Sequence, residues 1–61
     1  MARTITTEQP TPELVYYYVE GEGSASDLFE YFLEQYPQLA DKPLAYNQTQ
    51  SSPRKIRIWR Q

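Results

Sequence analysis

Apolar and polar positions change period along this chain, and each change marks an element. Glu13 to Glu20 reads Glu-Leu-Val-Tyr-Tyr-Tyr-Val-Glu, dense in aromatic and β-branched residues and closed by Gly21. It is too short and too β-rich for a helix, so a strand is expected there. Its two faces, Leu14/Tyr16/Tyr18 and Val15/Tyr17/Val19, are both apolar, and alternation alone leaves open which of them faces the core. The period then becomes helical. Ala25, Leu28, Phe29, Phe32, Leu33 and Tyr36 fall at i, i+3, i+4, i+7, i+8 and i+11, one continuous stripe. Ser24, three residues before Asp27, supplies a capping box at its start, and Pro37 forces Tyr36 out of the α region at its end. Tyr31 is the one aromatic on the polar side of this helix.

Beyond the helix, Pro37 to Pro43 has room for one further turn with Pro37 in its first position, which would bring Leu39 to the core. Leu44 to Thr49 is a weaker strand candidate, and Gln50-Ser51-Ser52-Pro53 reads as a turn. Arg54 to Arg60 alternates cleanly, with Ile56 and Ile58 on one face and Lys55, Arg57 and Trp59 on the other. Residues 1–12 hold four Thr, two Pro and one large aliphatic residue, Ile5, a composition expected to remain a flexible N-terminal tail. The sequence therefore predicts a single small α+β domain over residues 13–61, in the order β-α-β-β. One amphipathic helix would pack on one face of a three-stranded sheet.

Composition narrows the chemistry. At 61 residues, with no Cys and no His, the chain has no disulfide, no thiolate or imidazole metal ligand, and no Cys or His nucleophile. A domain of this size seldom draws more than roughly 3–5 kcal/mol from one core, so a partner chain is a natural source of further burial. Residues 1–41 carry eight acidic and one basic residue; residues 42–61 carry five basic and none acidic. The net charge of −2 thus hides a dipole, which folding can neutralise by laying the basic strand against the acidic half. The longest apolar run, Leu14 to Val19, falls far short of the ~20 residues of a membrane-spanning helix. Because the start of the chain also lacks an apolar signal segment, a cytoplasmic location is expected.

Three candidate chemistries fail on spacing or charge. Glu20-Gly21-Glu22-Gly23-Ser24 precedes a helix like a phosphate loop, but Glu20, Glu22 and Asp27 surround the place an anion would occupy. The carboxylates lack the spacing of a metal site or an acid-base pair, and the serines and lysines lack an activating neighbour. No enzymatic activity, metal or cofactor is expected. The remaining signal is the basic-aromatic strand. With Ile56 and Ile58 facing the helix, Lys55, Arg57 and Trp59 would join Tyr16 and Tyr18 on an uncovered sheet face, with Arg60 beside them.

Tyr, Trp and Arg are the residues that dominate protein interfaces. These six residues are therefore read as a partner-binding surface. The corresponding function is a non-enzymatic regulator, inhibitor or adaptor of a larger protein, of the kind phages or plasmids encode, or an accessory subunit of a complex. Two other readings use the same face: single-stranded nucleic-acid binding by stacking and phosphate contacts, and a small homodimer with a structural role.

Overall fold

The computed structural model describes residues 3–61. Among these residues, two hairpins flank a single helix in the order β1 (Thr4–Thr11), β2 (Leu14–Gly21), α1 (Ala25–Gln35), a 3-10 turn (Pro37–Leu39), β3 (Leu44–Ser51) and β4 (Arg54–Arg60). The strands form one antiparallel sheet in the order β1-β2-β4-β3. The α+β class and the helix on one sheet face agree with the sequence reading, but the sheet has four strands and the order is ββαββ. The difference lies in Thr4–Thr11, expected within the flexible tail and found as the edge strand β1. Met1 and Ala2, the rest of that tail's start, lie outside the described residues.

An edge strand needs little apolar surface of its own. Ile5 sits directly opposite the buried Val19 and packs against the core, while the β-branched threonines around it suit an extended backbone. Pro10, which argues against a strand, falls where the β1–β2 register shifts between Glu8 and Thr11. A bulge on an edge is where a missing N–H is tolerated.

Helix α1 starts as its capping box requires. The Asp27 amide donates to Ser24 Oγ at 3.1 Å and the Ser24 amide donates to Asp27 Oδ2 at 3.0 Å. The helix ends at Gln35, and Pro37 opens the 3-10 turn that brings Leu39 to the core margin. The stripe meets the sheet through Leu28 and Phe32, which with Val19, Ile56 and Ile58 form a fully buried core. Tyr17, Phe32 and Tyr36 make a cluster of tilted rings with centroids 5.0–5.8 Å apart. Phe29 stacks on Tyr46 of β3 at 4.6 Å. Tyr31 packs at the core margin with the Arg3 guanidinium 5.2 Å above its ring, which accounts for an aromatic on the polar side of the helix.

Both hairpins close through two-residue turns, Pro12-Glu13 and Ser52-Pro53, the latter pair joined by a cis peptide bond. Each turn is bracketed by a glutamine. Gln9 Nε2 donates to the Pro12 carbonyl at 3.1 Å and Gln50 Nε2 to the Pro53 carbonyl at 2.9 Å.

One backbone bond sets the hydrogen-bond phase of the whole sheet. The Gln61 amide donates to the Pro43 carbonyl at 2.8 Å, in register with the pairs Leu44–Arg60 and Ala45–Trp59. In an antiparallel ladder, hydrogen-bonded and non-hydrogen-bonded pairs alternate. Ala45 and Asn47 therefore bond to β4, whereas Leu44, Tyr46 and Gln48 turn their amide and carbonyl groups outward. Carried across the sheet, the same phase points Thr4, Thr6 and Glu8 of β1 toward β2. It also makes Tyr16–Trp59, Tyr18–Arg57 and Glu20–Lys55 non-hydrogen-bonded pairs, the kind whose side chains approach most closely.

Candidate protein-binding face of the sheet

Register places five of the six expected site residues together. Tyr16, Tyr18, Lys55, Arg57 and Trp59 lie on the sheet face opposite α1, as the cross-strand pairs Tyr16–Trp59 and Tyr18–Arg57 require. The question left open for β2 is thereby answered: Val15, Tyr17 and Val19 face the helix, and Leu14, Tyr16 and Tyr18 face away. The flanking charges could not have settled it, because Glu20 shares the parity of Tyr16 and Tyr18 while Glu13 shares that of Val15 and Tyr17. Arg60 does not join the other five. It shares the parity of Ile56 and Ile58 and lines a separate cleft of about 200 Å³ on the helix side, with Glu13, Val15, Tyr17, Leu39 and Leu44.

The five residues pack on one another rather than standing into solvent, and each is half-buried. The Arg57 guanidinium carbon lies 4.9 Å from the Tyr16 ring centroid and 5.7 Å from that of Tyr18. Lys55 Nζ lies 5.2 Å from the Tyr18 centroid. Trp59 meets the edge of Tyr16 at 6.4 Å, nearly perpendicular, and Tyr16 and Tyr18 are 6.5 Å apart. Cation-π contacts of this kind contribute about 0.5–1 kcal/mol each when exposed. The basic strand thus meets the acidic half through ring faces, together with Glu20, which stands opposite Lys55. Arg57 Nε is buried without a hydrogen-bond acceptor and is enclosed by these rings.

Two residues outside the expected set complete the face. Tyr18 donates its hydroxyl to Glu8 Oε1 at 2.9 Å, tying β1 to the aromatic row. Thr6 stands opposite Tyr18 on the same face. Neither was legible as part of the site while residues 1–12 were read as a tail.

At the N-terminus of α1, the Ser24 and Asp27 amides are already engaged within the capping box. Asp27 is held below the usual aspartate range, chiefly by the donated Ser24 amide and then by the Ser24 hydroxyl; partial desolvation opposes them, and the charge of Arg3 adds the smallest lowering effect. Among the described residues no three acidic side chains come together as a metal cluster, and no helix is long and apolar enough to cross a membrane. No protein-family model, curated protein or solved structure matches the chain.

Proposed function

We propose that this chain is a non-enzymatic protein-binding module, acting as a regulator, inhibitor or adaptor of a larger protein. The contact surface is the sheet face carrying Tyr16, Tyr18, Lys55, Arg57 and Trp59. The observation that carries this reading is the mutual packing of three aromatic rings and two cations on the face opposite the helix. Rings locked in this way lose little conformational freedom when a partner arrives, and preorganisation of aromatic and arginine side chains is what interface hot spots exploit. A cytoplasmic setting belongs to the same proposal.

The runner-up, single-stranded nucleic acid, draws on the same residue types. Two features weigh against it: the Arg57 guanidinium lies over the rings of Tyr16 and Tyr18 that bases would stack on, and Glu8 and Glu20 border the face.

The test is quantitative affinity capture of the tagged protein from lysate of its source cell, with and without nuclease. Trp59→Ala and Arg57→Glu are compared with the parent chain, and circular dichroism monitors the fold. Loss of a hot spot weakens binding by about 2 kcal/mol, roughly thirtyfold, so a nuclease-resistant partner should disappear from both variants. Unchanged capture by both variants would refute the site, and partners that vanish with nuclease would put nucleic acid first.

A further inference from the structure

We propose that the free edge of β3 pairs with the β3 edge of a second copy, giving a two-fold dimer with one continuous sheet. The two edges of the sheet differ in kind. β1 carries Glu8 and Pro10 and shifts register between Glu8 and Thr11, features that blunt an edge against strand addition. β3 reads Leu-Ala-Tyr-Asn-Gln-Thr-Gln-Ser, with neither charge nor proline, and its irregularity falls between Gln48 and Gln50. The segment Leu44–Gln48 is therefore a regular edge with outward-facing backbone groups at Leu44, Tyr46 and Gln48.

A side chain on the same segment also calls for a partner. Tyr46, at 36% exposure, is the one large apolar side chain left exposed among the described residues, and it stands at this edge with its ring stacked on Phe29.

A second copy fits this edge better than an unrelated strand because the segment is self-complementary. With the two-fold axis at Tyr46, each Leu44 faces the partner's Gln48 and Tyr46 faces the partner's Tyr46. Every one of these positions points its amide and carbonyl toward the other strand, so each pair can exchange both hydrogen bonds. No like charges meet across the axis. The Phe29–Tyr46 stack of one copy abuts that of the other on the helix side, which adds burial to a domain whose fully buried core, among the described residues, is five side chains. The aromatic-basic surface on β2 and β4 is left free, so this dimer is independent of the partner proposed above.

Sedimentation velocity from low-micromolar to millimolar concentration, paired with residue-resolved amide exchange, tests the proposal. The expected result is a concentration-dependent dimer in which the Leu44, Tyr46 and Gln48 amides gain at least tenfold protection as the dimer forms. Ala45 and Asn47, bonded to β4, are already protected in the monomer. Tyr46→Lys, which sets two charges against each other on the axis, should return the protein to monomer with an unchanged circular dichroism spectrum. A monomer throughout this range would overturn the proposal. So would a dimer that survives Tyr46→Lys and is lost in Trp59→Ala, or one that protects the outward amides of β1 instead.

Discussion

Gly23 holds a φ of +115°, a conformation that side-chain-bearing residues rarely adopt, and a Cβ there would lie 3.1 Å from the Asp27 Cβ. Gly21 is needed for a different reason: Arg3 crosses it so closely that a Cβ would fall 2.7 Å from the Arg3 Cγ. The two glycines let the chain turn from β2 into α1 while Arg3 reaches the Glu22 carbonyl and the Tyr31 ring. Gly23→Ala should cost about 1–2 kcal/mol and lower the thermal midpoint by roughly 4–8 °C per kcal/mol, read by circular dichroism melting. An unchanged midpoint would mean that the turn does not require this conformation.

Asp27 gives the pH counterpart. Its folded-state pKa is depressed, chiefly by the Ser24 amide, so its stabilising contribution is full above the unfolded aspartate value of about 3.9 and fades as pH falls through the folded value. Urea midpoints of the parent chain and Asp27→Asn should therefore differ most near neutrality and converge in acid. A difference that persists undiminished at low pH would show that the carboxylate charge is not what the capping box uses.

Among elements, β1 separates a strand from a tail most sharply. Its hydrogen-bond phase turns Thr4, Thr6 and Glu8 toward β2 and leaves Ile5 and Thr7 outward. Amide exchange in the monomer should show that alternation, with slow Thr4, Thr6 and Glu8 amides; uniformly fast exchange over Thr4–Glu8 would return the segment to a tail. The helix and β4 were legible because their apolar residues recur at the period of the element that buries them. The strand β1 was not, because pairing with a tyrosine-rich neighbour supplies what its composition lacks, and only Ile5 reports contact with the core. Arg60 is a different case. Its parity with Ile56 and Ile58 already placed it on the helix side, but basic character suggested company with Lys55 and Arg57. For a residue on a strand, the face is decided by alternation and not by chemical kinship with its neighbours.

At the scale of the molecule, the helix covers one face of a four-stranded sheet and leaves the other to its own side chains. Tyr16, Tyr18 and Trp59 are held there by Arg57 and Lys55, and this held surface is the one proposed above to meet a larger protein. The most direct measurement is site-specific photo-crosslinking in the source cell, with a benzophenone amino acid at Thr6, on that face beside Tyr18, or at Glu30, exposed on the helix. The expected result is that Thr6 captures one defined protein in a nuclease-resistant adduct and that Glu30 does not. Capture from Glu30 with none from Thr6, or adducts to nucleic acid alone, would contradict it.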